Sequence, residues 1–140
     1  MRQGAISNVG DKFNIRPSKS GQWYYVSRYY TVVKGQPQYY YGDYETDYRI
    51  NCQNDCFKTA DGTDLHYKEP FTVLACPRTF PLGTVIELAG IGTAVCHDRG
   101  GAIKDKRLDL WVGAGLQGLW NVLNTPSSGW REIKVLYIPE

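Results

Sequence analysis

Along the chain the apolar and polar positions change period several times. Residues 22–34 (QWYYVSRYYTVVK) are β-branched and aromatic, which predicts a strand. Gly35, Gln36 and Pro37 punctuate a turn. Residues 38–50 (QYYYGDYETDYRI) predict a returning strand, so that the two segments form a Tyr-rich hairpin. Residues 51–70 read mostly as loop. Short strands follow at 71–76 (FTVLAC), 84–89 (TVIELA), 93–97 (TAVCH) and 108–112 (LDLWV), separated by Gly and Pro turns. In 114–124 the period lengthens. Leu116, Leu119, Trp120 and Leu123 fall at i, i+3, i+4 and i+7, one stripe of a helix that Thr125-Pro126 ends. Residues 131–138 (REIKVLYI) alternate again and predict a closing strand. Many short strands with one helix point to a mainly β fold, a small closed barrel. Its expected organisation is a Tyr-rich extension over 1–45 and a barrel over 46–140.

Composition narrows the function classes. The 140 residues are 42% hydrophobic and 21% charged, which excludes a disordered tail. The net charge of +2, with no long run of Lys or Arg, argues against nucleic acid as a partner. Apolar stretches fall far short of the roughly 18–20 residues that span a bilayer. Most of the 11 tyrosines lie before residue 50. The pairs and triplet Tyr24-Tyr25, Tyr29-Tyr30 and Tyr39-Tyr40-Tyr41 suit sugar stacking, a protein interface, or a hairpin packed on the barrel. Cys52, Cys56, Cys76 and Cys96 are even in number, which suits two disulfides in an exported protein. Their C-x3-C-x19-C-x19-C spacing departs from the usual zinc knuckle, and no metal or cofactor is expected. Met1 to Gly10 is polar, so no secretory leader is visible. The cysteines leave three settings open: export with a leader since removed, a virion component released by lysis, or an intracellular protein with free thiols.

Candidate chemistry concentrates between Leu74 and Gly115. Asp98 and Asp109 stand at or within short apolar strands and not in charged runs. Apolar surroundings hold a carboxyl protonated toward neutrality, as a general acid requires. The structural alternative is that Asp98 caps a Gly turn and Asp109 faces water. Cys96, His97 and Asp98 have the residue types of a nucleophile set. Adjacent strand side chains face opposite ways, however, so a contiguous triad has poor geometry. Trp111 follows Asp109 by two and shares its strand face, a candidate for stacking on a sugar. Lys104 is either a substrate-binding cation or a solvated loop lysine.

The pattern PLGT, GxGxA, DxGGAIK and xDLWxGxG resembles the three-aspartate (3D) domain and the catalytic barrel of membrane-bound lytic transglycosylase A. A weaker likeness, through RTFPLGT and DRG, runs to rare lipoprotein A. The resemblance spans about Thr46 to Ile138 and implies a six-stranded double-psi β-barrel. It implies cleavage of the MurNAc–GlcNAc β-1,4 bond of peptidoglycan with a 1,6-anhydro product. It puts Asp109 on the main catalytic acid and Asp98 on the supporting acid, with Gly100, Gly101, Lys104 and Trp111 beside the glycan. The family's first aspartate falls on Cys76, a departure that a Cys76–Cys96 bridge would explain, although spacing leaves the pairing open. Two readings follow. One is a peptidoglycan-cleaving lyase, cell-wall associated, secreted or virion-borne. The other is a wall-binding or structural barrel, such as a phage tail component, that kept the groove and lost the chemistry. The Tyr-rich segment is a candidate interface for a protein partner in either case.

Overall fold

The computed structural model describes residues 22–52, 55–124 and 128–140. Six strands close into a barrel: β1 (Gln22–Thr31), β2 (Val73–Ala75), β3 (Val85–Leu88), β4 (Gly92–Asp98), β5 (Arg107–Ala114) and β6 (Gly129–Tyr137). Their order around the barrel is β1-β5-β2-β4-β3-β6. The β1/β5 and β2/β4 pairs are parallel, and the other neighbours are antiparallel. This mixed six-stranded closure is the double-psi architecture. Helices α1 (Tyr44–Asn51) and α2 (Gly115–Asn124) complete the described elements, with a short 3-10 turn at Leu65–Tyr67.

Alternation along the strands sorts the core into two layers. Leu108, Leu110 and Val112 of β5 pack with Leu74, Cys76, Ile86, Ala94 and Cys96 in the interior. Trp111 joins Val73, Ala75, Tyr29, Leu65 and Ile103 in a second cluster on the other face of the same strands. Residues 55–67 run over this second face, which is why both faces of β2 and β5 are buried.

Three expectations need correction. The sixth barrel strand is β1, from the segment expected to lie outside the barrel as an extension. It pairs with β5 on one side and β6 on the other, so a boundary at residue 46 would cut the barrel. Residues 1–21 of that extension lie outside the described residues. The returning strand over 38–50 is replaced by α1. Asp43 caps that helix by accepting from the Thr46 N–H, Glu45 and Asp47 occupy its first turn, and Arg49 its last. Capping and dipole terms there outweigh the strand preference of tyrosine. The tyrosine clusters are largely structural: Tyr24, Tyr29 and Tyr30 are buried, and Tyr39, Tyr40, Tyr44 and Tyr48 pack against the core. Asp47, itself buried, accepts from the Tyr30 hydroxyl and from the amides of Tyr40 and Tyr41, pinning α1 to β1.

The third correction concerns α2. Its buried residues are Gly118, Leu119, Asn121 and Val122, while Leu116, Trp120 and Leu123 of the expected stripe are exposed. The helix approaches β5 so closely that a Cβ on Gly118 would lie 2.6 Å from the carbonyl carbon and oxygen of Gly113. Backbone contact at a glycine, and the bond from Asn121 Nδ2 to the Val112 carbonyl at 2.8 Å, turn the helix away from its most apolar stripe.

Candidate active site

The site begins with a register. β2 runs between β4 and β5, and Ala75 pairs with Asp98 on one side and Asp109 on the other. Ser27 of β1 pairs with Asp109 in turn. Ser27, Asp109, Ala75 and Asp98 therefore form one row across four strands. The two acids stand two strand spacings apart, about 10 Å between Cα atoms. Alanine between them leaves space where a larger side chain would stand.

Simple alternation would not place Asp98 in that row. Ala94 and Cys96 point into the interior, and residue 98 has the same parity. A bulge corrects it: Leu74 pairs with Cys96, but the next residue of β2 pairs with Asp98, so His97 is extra. Bulges re-aim side chains next to functional sites. Here the offset carries Asp98 to the face shared with Ala75 and Asp109. All three line one groove of about 560 Å³.

The rest of the groove comes from two segments. Gly100, Gly101, Ala102 and Ile103 form one side, and the end of α1 with the loop through Cys56, Thr59 and Ala60 forms the other. That second wall is held in several ways. Cys52 and Cys56 are joined in a disulfide. The Trp111 indole N–H donates to Thr31 Oγ1 at 3.0 Å, and the Thr31 hydroxyl donates to the Cys56 carbonyl at 2.8 Å. Asp61 Oδ2 lies 2.7 Å from His97 Nδ1, and the Asp61 amide donates to the His97 carbonyl. Burial works to raise the Asp61 carboxyl, but hydrogen bonds from His97, Thr63 and Thr59 outweigh it and hold it at about 2.

Asp98 accepts from three fixed donors: the Tyr29 hydroxyl on Oδ2 at 3.0 Å, and the Ala60 and Arg99 amides on Oδ1 at 3.1 and 2.9 Å. Burial is the largest influence on its titration and pushes it up from the usual carboxylate range. The Arg99, Tyr29 and Ala60 bonds oppose that rise, and the nearby Asp109 adds to it. Asp109 is buried and accepts from Ser27 Oγ on Oδ1 at 2.9 Å. Arg99 spans the same end of the barrel, donating to the Cys76 and Pro77 carbonyls.

The structure brings some of the sequence candidates together and sets others apart. Asp98, Asp109, Gly100 and Gly101 come together in the groove. Lys104 is exposed and does not line it. Trp111 is 2% exposed and sealed under the loop, so its ring offers no face to a sugar. It shares the strand face of Asp109, but the covering segment could not be anticipated from alternation. Cys96, His97 and Asp98 form no nucleophile set, because Cys96 is bonded to Cys76 and His97 turns to Asp61, although the bulge, against simple alternation, brings His97 and Asp98 to the same loop. All four cysteines are in disulfides. The Cys76–Cys96 bridge lies fully buried in the interior layer, so Ala75 and not Cys76 stands between the acids. Tyr29, Ser27 and Ala60 are site residues that the sequence did not reveal. Tyr29 was visible only as one tyrosine of a cluster.

Comparison with known proteins agrees with the motifs. Residues 72–118 match the 3D domain, which covers β2 to the start of α2. A 55-residue stretch, 39% of the chain, is 40% identical to the cell wall-binding protein YocH of Bacillus subtilis and covers 19% of that protein. Among solved structures, MltA from Escherichia coli, described as having a unique lytic transglycosylase fold, aligns over 59% of this chain and 28% of its own. The TM-score is 0.47 at 21% identity. The same enzyme with bound chitohexaose aligns with a TM-score of 0.48 at 19% identity, again over 59% of this chain and 28% of its own. The chain thus spans well under a third of the length of each relative.

Proposed function

We propose that the protein is a peptidoglycan lytic transglycosylase, with Asp109 as general acid and base and Asp98 as its electrostatic partner. The observation that carries this reading is the meeting of two acids from separate motifs on one groove across Ala75. In this reaction the Asp109 carboxyl gives its proton to the glycosidic oxygen as the C1–O bond of MurNAc breaks. The resulting carboxylate takes the proton of the MurNAc C6 hydroxyl while O6 bonds to C1. Atoms balance without water, and one acid serves both steps. Asp98, tied to three donors, is suited to shape the field around Asp109 and not to travel with a proton. Hydrolysis by inversion would instead need a water held between carboxyls about 6.5–9.5 Å apart. The two disulfides fit an oxidising, extracytoplasmic setting, as does a wall-binding relative.

A second reading has its own support. Where the 3D pattern has its first acid, this chain has a buried, cross-linked Cys76, and its relative YocH is named for wall binding. A barrel that grips glycan without cutting it satisfies both. Mass spectrometry of purified peptidoglycan after incubation separates the readings. Anhydromuropeptides are expected, reducing ends would mean hydrolysis, and an intact sacculus that pulls the protein down would mean binding alone. Asp109→Asn is nearly isosteric. It is expected to lower cleavage by roughly 10²–10⁴ or more while glycan binding and fold persist. Unchanged cleavage in that variant would remove Asp109 from the role.

A further inference from the structure

We propose that Ser27, through a donor chain running from Arg107, is a positioning residue that orients the Asp109 carboxyl by holding its Oδ1. The proposal rests on the reading of Asp109 above and adds the group that orients it. Arg107 Nη2 donates to Ser27 Oγ at 3.1 Å, and Ser27 Oγ lies 2.9 Å from Asp109 Oδ1. A guanidinium has donors only and keeps its charge at every working pH. Its bond therefore occupies a lone pair of the hydroxyl and leaves Ser27 a single proton to give. Two acceptors are in range, Asp109 Oδ1 at 2.9 Å and the Leu108 carbonyl at 3.4 Å. The second is at the limit of hydrogen-bond geometry, so the proton goes to the carboxylate.

The hydroxyl therefore holds one oxygen of the carboxylate, Oδ1, in a fixed direction, and with it the plane of the acid. Ser27 is fully buried and sits opposite Asp109 in the β1/β5 register, so the contact is built into strand pairing and does not depend on a flexible side chain. The residue supplying it lies 82 positions earlier in the chain, outside the stretch that matches the 3D domain.

The test uses the full chain labelled at aspartate carboxyl carbons, with Asp109 titrated by NMR and glycan cleavage followed in parallel. Ser27→Ala is expected to move the Asp109 titration to higher pH, because the charged form loses a donor. It is also expected to lower kcat roughly 10- to 100-fold with KM unchanged, as misorientation of a reacting group does. Ser27→Thr, which keeps the hydroxyl, is expected to restore both. A Ser27→Ala titration that overlays the wild type overturns the proposal, as does a kcat that falls equally in Ser27→Ala and Ser27→Thr. Should Ser27→Ala fail to fold by circular dichroism, Ser27→Cys keeps the bulk with a poor donor and is read the same way. The titration needs no turnover. A wild-type protein that leaves glycan intact therefore counts against the transglycosylase reading, and a flat titration counts against Ser27.

Discussion

Asp98 is where burial and hydrogen bonding compete most directly. Its carboxyl is raised in the folded protein, so the native state holds this proton more tightly than the unfolded chain does. A group of that kind contributes most below the usual carboxylate range, and its contribution is lost as pH rises through the higher folded value. Near pH 7 the charged form is a cost. Asp98→Asn keeps an acceptor for the Ala60 and Arg99 amides, and the Tyr29 hydroxyl can turn to meet the new amide. The variant is expected to gain about 0.5–2 kcal/mol at pH 7 and little at pH 3. Thermal melts at both pH values check this, and an equal change at the two would remove charge burial as the cause. The acids themselves were legible because their motifs are local. Their partners were not: the Tyr29 bond to Asp98 joins residues 69 apart, and no spacing in a single chain announces that distance.

Elements were read best where one force acted alone. The short strands of the barrel carry plain alternation and Gly or Pro boundaries, and they fall within a few residues of their predicted positions. Residues 38–50 carried two signals, tyrosine content and an Asp43 cap with acids behind it, and the cap decided the outcome. In α2 the apolar period was real but did not choose the packed face, because Gly118 offered the closer approach. That gives a sharp expectation. On helix propensity alone Gly118→Ala would stabilise by about 1 kcal/mol. With backbone atoms 2.6 Å from the new methyl, the helix must lift off β5, and a loss of about 1–3 kcal/mol is expected in urea unfolding. A stabilised variant would show that the helix is not seated on Gly113.

For the whole molecule, the decisive fact is that β1 closes the ring. Removing residues 1–45 deletes a strand buried along most of its length and bonded on both sides. The truncated chain is expected to be unfolded by circular dichroism; a cooperative thermal melt would show that five strands suffice. The same wholeness governs the disulfides. Cys76–Cys96 closes a loop of sequence separation 20, and Cys52–Cys56 one of separation 4. Chain entropy makes the first worth about 3 kcal/mol and the second about 2. Replacing Cys76 and Cys96 together by Ala is expected to lower the melting temperature by about 10 °C, more than the paired Ser variant at Cys52 and Cys56. The reverse order would place the larger constraint in the groove wall. Closure by β1 was hidden because a β-rich segment looks the same whether it completes a barrel or lies beside one.

The extra residue in β4 lets one strand end do two jobs. In a regular strand consecutive side chains must part company, one to each side of the sheet. Here His97 and Asp98 both turn to the same loop, the imidazole to Asp61 and the carboxylate to the Ala60 amide. The acid and the wall beside it are thus fastened at a single point, so whatever loosens the wall also disturbs the acid. A chain lacking only His97 could still set Asp98 opposite Ala75, inside an intact ring of strands, yet it would have lost the clasp that keeps the groove walled.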